Sequence, residues 1–106
     1  MIFICVKWKV LPEHADRWPE LTRDFTEATR AEEGNLFFEW SRSIDDPNQY
    51  VLIEAFKDDA AEAHVTSAHF KRARAELPQY VAETPLVRNT LMEGDHWDRL
   101  GEFEIS

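Results

Sequence analysis

The segment His64-Val-Thr-Ser-Ala-His-Phe70 carries two imidazoles five residues apart, side chains able to ligate a metal or to move a proton near neutral pH. Histidines sharing a metal from one helix need a spacing of three or four. A spacing of five sets them about 140° apart round an α-helix, and Ser67 between them is a residue type that caps and restarts a helix. No His-x-x-x-His pair and no Cys/His/carboxylate cluster stands elsewhere in the sequence, so no metal site is expected.

His69 is the stronger catalytic candidate of the two. With Ser67 as cap it occupies the first helical turn, where the positive helix end favours a neutral imidazole, and a neutral imidazole accepts protons. The competing account makes it a structural histidine bonding across the core or a subunit interface. His64 is expected first to be structural and second to contact a substrate. Asn35 follows a helix-ending glycine, and its carboxamide is placed either to hold a substrate oxygen or developing oxyanion or to act as a second C-cap residue. Phe38, Trp40, Phe56 and Phe70 offer flat apolar surface for an aromatic ligand, although core packing accounts for any one of them alone. Leu36, Phe38 and Trp40 alternate and so share a strand face.

Composition narrows what these residues can serve. At 106 residues the chain is sized for one domain, residues 1–106. Its formal charge of -9 argues against nucleic acid, and the one basic cluster, Lys71, Arg72 and Arg74, suits a solvated helix face. Cys5 is the single cysteine, unable to pair within the chain and suited to a reducing compartment. The opening "MIFICVKWKV" has no charged leader and is too short in its apolar run for a membrane span. The expectation is a cytoplasmic protein without membrane contact.

The elements that must position the candidates follow from periodicity. Residues 2–10 alternate as a strand. Trp18, Leu21, Phe25 and Ala28 recur at helical spacing over roughly 14–32, with Asp16 as cap, Pro19 in the first turn and Gly34 as a left-handed end. "NLFFEWSRS" and "QYVLIEAFK" form a hairpin about Asp45-Asp46-Pro47-Asn48. In the second of these strands Tyr50, Leu52 and Phe56 make one apolar face, and Val51, Ile53 and Ala55 make another. Asp59 and Glu62 resemble a capping box for a helix over 60–66. A further helix from Ser67 carries Phe70, Ala73, Leu77 and Tyr80, after which "PLVRNTLME" and "GEFEIS" are expected to be strands. The order β-α-β-β-α-α-β-β predicts a ferredoxin-like α+β fold with helices on one face of an antiparallel sheet. The second apolar face predicts a homodimer through the sheet.

The segments "EEGNLFFEW", "YVLIEAFKDDAAEAHVTSAHF" and "HWDRLGEFEI" resemble the antibiotic biosynthesis monooxygenase (ABM) superfamily, of the quinol monooxygenase type. The likeness runs from Val6 to Ile105 and centres on a Gly-Asn pair after the first helix and H-x-x-S-x-H-F after the second. It implies a dimeric α+β barrel with a pocket between sheet and helices. It also implies oxidation of a quinol, anthrone or similar small electron-rich aromatic by dioxygen, with no metal or flavin cofactor. In that setting His69 becomes the base that makes the ring electron-rich, Asn35 the oxygen-binding group, and Trp97 with Gly101 and Glu102 a motif fixing the last strand. The haem-degrading branch is disfavoured, since the first strand has no asparagine and Phe56 stands where a tryptophan is wanted. A non-catalytic barrel binding an aromatic metabolite, or an isomerase, is the alternative on the same fold.

Overall fold

A computed structural model describes residues 1–105. Four strands form one antiparallel sheet: β1 (Ile2–Lys9), β2 (Asn35–Arg42), β3 (Gln49–Phe56) and β4 (Leu86–Leu91), in the order β2-β3-β1-β4. The helical pieces are α1 (Pro12–Ala15), α2 (Trp18–Leu21), α3 (Arg23–Arg30), α4 (Ala61–Val65) and α5 (Ala68–Glu76), the last running into a 3₁₀ turn over Leu77–Tyr80. The helices pack on one face, as the ferredoxin-like expectation requires. Among the described residues no helix is long and apolar enough to cross a membrane.

Register decides which residues meet the helices. Ile4 pairs Glu54, Val6 pairs Leu52 and Trp8 pairs Tyr50, while Phe38 also pairs Glu54 and Trp40 pairs Leu52. Side chains alternate across a strand, so Tyr50, Leu52, Glu54 and Phe56 look toward the helices, and all four are buried. Phe38 and Trp40 share that inner face. At Leu36 a bulge between Asn35 and Phe37 shifts the register, so that Asn35 pairs Phe56. The outer face carries Phe3, Phe37, Val51 and Ile53, all half-buried.

Four expectations about local structure change. The helix predicted over 14–32 is three short pieces. Pro19, which has no N–H, lies in the opening turn of α2, whose cap is Arg17 without a side-chain bond. Asp16 instead pairs with Arg42 at 2.9 Å. Thr22 then leaves the helical region and bonds the Trp18 carbonyl through its hydroxyl at 2.8 Å. That break turns the buried stripe from Trp18, Leu21, Phe25 and Ala28 to Trp18, Thr22, Thr26 and Thr29. Gly34 has no left-handed backbone; its need is space, because a Cβ there would collide with Ala60. Asp59 is not a capping-box residue: it adopts the left-handed region at φ 68°, and Ala60 precedes α4 without a side-chain cap. The expected fifth strand is a 3₁₀ turn, Gly101–Phe103, and Trp97 lies with its ring 5.2 Å from Phe37.

Candidate active site

Four ionisable side chains converge at one end of the helix-facing layer, each held by a different element. Glu32 lies in the turn between α3 and β2, Glu54 in β3, His64 near the end of α4 and His69 in the first turn of α5. Ser67 caps α5 as expected, accepting the Phe70 amide at 3.2 Å, and also bonds the His64 carbonyl at 2.6 Å. This is the break that spacing alone anticipates, with the opposite result. The chain turns at Ser67, so α4 and α5 deliver both rings to one carboxylate instead of splaying them. His64 Nδ1 lies 2.7 Å and His69 Nε2 2.5 Å from Glu32 Oε2. The 140° separation holds only along an unbroken helix.

Glu32, His64 and His69 present ligand atoms within 4.8 Å of one another, and two imidazoles with a carboxylate are a known donor set for zinc and non-haem iron. The expectation that no such grouping exists is therefore corrected. The separations nevertheless suit hydrogen bonds better than shared coordination. Ligand atoms each about 2.0–2.1 Å from a tetrahedral ion stand roughly 3.3 Å apart, whereas both imidazole nitrogens here sit at charge-assisted hydrogen-bond range from the same oxygen. With Glu32 ionised, both nitrogens donate to it.

Phenyl rings enclose His64. Phe56, Phe70 and Phe25 have ring centroids 4.8, 5.1 and 5.8 Å from its own, and the residue is only 4% exposed. Burial holds its pKa below the ordinary histidine value, against the opposing pull of Glu32 and with help from His69. Glu54 is 6% exposed; burial, with the nearby Glu32 charge second, pushes its pKa up to about 7. Its Oε1 lies 3.9 Å from His64 Nε2.

A cavity of about 710 Å³ opens between the sheet and the α4–α5 layer. Ile4, Val6, Trp8, Leu52, Phe56, Phe70, Leu77 and Val87 give it apolar walls, and His64, Glu54, Arg74 and Glu83 are its ionisable members. Of the candidates drawn from sequence, Phe56, His64 and Phe70 line it. His69 stands behind His64, on Glu32. Phe38 and Trp40 lie in the packed layer next to it, Phe38 only 1% exposed and the Trp40 indole donating to Thr26 at 2.9 Å. Asn35 spans the β2 bulge, donating to the Phe37 and Ala55 carbonyls at 3.0 and 3.3 Å.

Sequence reasoning passes over both glutamates. Glu54 had a visible sign: it falls in phase with Tyr50, Leu52 and Phe56, a charge in the middle of an apolar face. Glu32 has none, because nothing in "EEG" separates it from the exposed Glu33.

The family model described as antibiotic biosynthesis monooxygenase matches residues 1–76. The chain belongs to that family. Its match ends within α5, so "HWDRLGEFEI" falls outside it. Among relatives of this ABM chain, the Bacillus subtilis (strain 168) protein "Putative monooxygenase YcnE" is 30% identical over 95 residues, covering 88% of this chain and 100% of that one. The solved structure "Putative antibiotic biosynthesis monooxygenase from Nitrosomonas europaea" superposes with a TM-score of 0.80 at 28% identity, covering 89% of this chain and 100% of the other. A Deinococcus radiodurans structure of the same description reaches 0.81 over 95% of this chain and 100% of its own, at 20% identity, a likeness of fold.

Proposed function

We propose that this ABM protein is a monooxygenase that oxidises a quinol, anthrone or similar electron-rich aromatic with dioxygen, and that His64 is the base. The observation that carries this is the pairing of an apolar cavity with a buried imidazole on its wall, backed by a carboxylate. The family and the name of the 30% identical relative support the monooxygenase class.

The physical steps follow from the arrangement. Glu32 accepts the Nδ1 proton of His64 and so fixes the tautomer whose lone pair is on Nε2, the nitrogen toward Glu54 and the cavity wall. Burial keeps that imidazole neutral. It removes the phenolic or enolic proton of a bound substrate, and the Glu32 charge stabilises the imidazolium that forms. The substrate anion gives one electron to dioxygen; recombination of the two radicals forms a carbon–peroxide bond. Loss of water leaves a carbonyl, so substrate CH₂ and O₂ become C=O and H₂O. His69, bonded to the same carboxylate oxygen, positions Glu32. Asn35 is a group that orders the strand bulge beside the site.

We also propose a homodimer through the outer sheet face, which Phe3, Phe37, Val51 and Ile53 support; light scattering tests it, with a monomer as the contrary result. The single cysteine suits a cytoplasmic setting. Oxygen uptake and product mass, measured on chelator-treated protein across hydroquinones and anthrones, test the activity. Uptake with a product gaining one oxygen atom and losing two hydrogens is expected. Conversion without oxygen would favour an isomerase, and activity recovered only on adding a divalent metal would overturn the cofactor-free reading.

A further inference from the structure

Among the described residues Glu54 is the one buried carboxyl, and the fold gives it no evident partner. Its strand neighbours in register are Ile4 and Phe38, both apolar, and among the described residues no hydrogen bond reaches its side chain. The residue is buried, yet its carboxyl oxygens are not shut off from solvent in the way the partnerless indole nitrogens of Trp8 and Trp18 are. Glu54 lines the cavity, on the same wall as His64, with Oε1 3.9 Å from His64 Nε2. That gap is too long for a hydrogen bond and lies where both groups can reach one oxygen atom of a bound molecule.

We propose that Glu54 is the acid partner of His64 in this cavity, donating the proton that lets the distal peroxide oxygen leave as water. This rests on the oxygenase reading above. His64 first takes the substrate proton and returns it to the peroxide anion, giving a carbon hydroperoxide. His64 then takes the remaining hydrogen on that carbon as a proton. The C–H electron pair becomes the new C=O bond, the O–O bond breaks, and the departing hydroxide takes the Glu54 proton to form water. Imidazolium and carboxylate are left facing each other, and one proton passing from His64 to Glu54 restores both. Every atom of O₂ is accounted for, one in the carbonyl and one in water.

Such a donor has to hold its proton near neutral pH while its partner stays free to accept one. The surroundings arrange this: burial and the Glu32 charge raise the Glu54 pKa, while burial lowers that of His64. The other charged groups on the cavity are Arg74 and Glu83 at its α5 and loop side; β1 and β2 present apolar residues at this level. Turnover should thus rise through the His64 titration and fall as Glu54 ionises near pH 7.

The test is Glu54→Gln, which keeps size and burial but cannot transfer a proton, with Glu54→Asp beside it and circular dichroism as the check on folding. For a quinol that the wild type oxidises, kcat should fall about 100-fold or more in Glu54→Gln, with KM changed less than about threefold and the alkaline limb of the pH profile gone. Glu54→Asp should retain the limb at an intermediate rate. Wild-type kcat and an unchanged profile in Glu54→Gln would overturn the proposal and leave the oxygenase reading standing. Absence of oxygen uptake by the wild type itself overturns both.

Discussion

The two ends of the helix-facing layer are built from similar residue types and do different work. At one end Trp8, Trp18, Trp40 and Tyr50 stack against each other, the three indole centroids 5.4–5.9 Å apart, and the Tyr50 hydroxyl bonds the Ala15 carbonyl at 2.8 Å. At the other end Phe25, Phe38, Phe56 and Phe70 surround His64, Glu32 and Glu54 beside a cavity. Close packing without a buried carboxyl or imidazole makes the first end a source of stability, with Trp8 also reaching the cavity wall. The second end accepts buried charge and empty volume, both costly, and such costs are typical of sites kept for chemistry. Aromatic residues alone therefore say little about function here; what distinguishes the ends is where carboxylates are buried.

Breaking each end should give opposite phenotypes. His64→Ala is expected to lower quinol turnover by about 10²- to 10⁴-fold with the fold preserved, as read by oxygen electrode and circular dichroism. Trp18→Ala, removing a side chain with no exposed surface, should cost about 3–5 kcal/mol in urea unfolding, while the protein that remains folded keeps its specific activity.

Glu54→Gln sharpens the contrast through stability. A carboxyl held above its unfolded value favours the native state only while protonated. Its penalty is absent below the ordinary pKa of 4.5, grows as pH rises from there, and is complete above about 7. The variant should therefore match the wild type at pH 4 and exceed it by about 3 kcal/mol at pH 8, from about 1.4 kcal/mol per pKa unit. Unfolding midpoints at the two pH values check this. Asn35→Ala should cost about 1–2 kcal/mol by freeing two carbonyls at the bulge; a loss of kcat at unchanged stability would instead restore it as an oxygen-binding group. Smallest is Thr29→Val. The hydroxyl is buried without a partner, so its replacement by a methyl group should stabilise by about 1 kcal/mol, measured by thermal unfolding.

Much of the architecture was legible because it rests on local rules. Strand alternation gives β1 to β4, and the Ser67 cap gives the start of α5. What failed were places where one residue outweighs a pattern: Thr22 turning the first helical segment, Asp59 taking a left-handed backbone, and the C-terminal run curling into a 3₁₀ turn. The site was half legible. The histidines were visible, yet their geometry depends on how two short helices meet at Ser67, which spacing does not encode. Glu32 and His64 are 32 residues apart, and only the tertiary fold brings them together.

The central claim is that His64, not His69, is the base, with His69 acting through Glu32. Oxygen uptake by His64→Ala and His69→Ala, measured side by side with the same quinol under air, tests it most directly. The account predicts that His64→Ala loses about 100-fold or more while His69→Ala loses about tenfold or less, its effect passing through Glu32. Turnover that survives in His64→Ala and disappears in His69→Ala would contradict it.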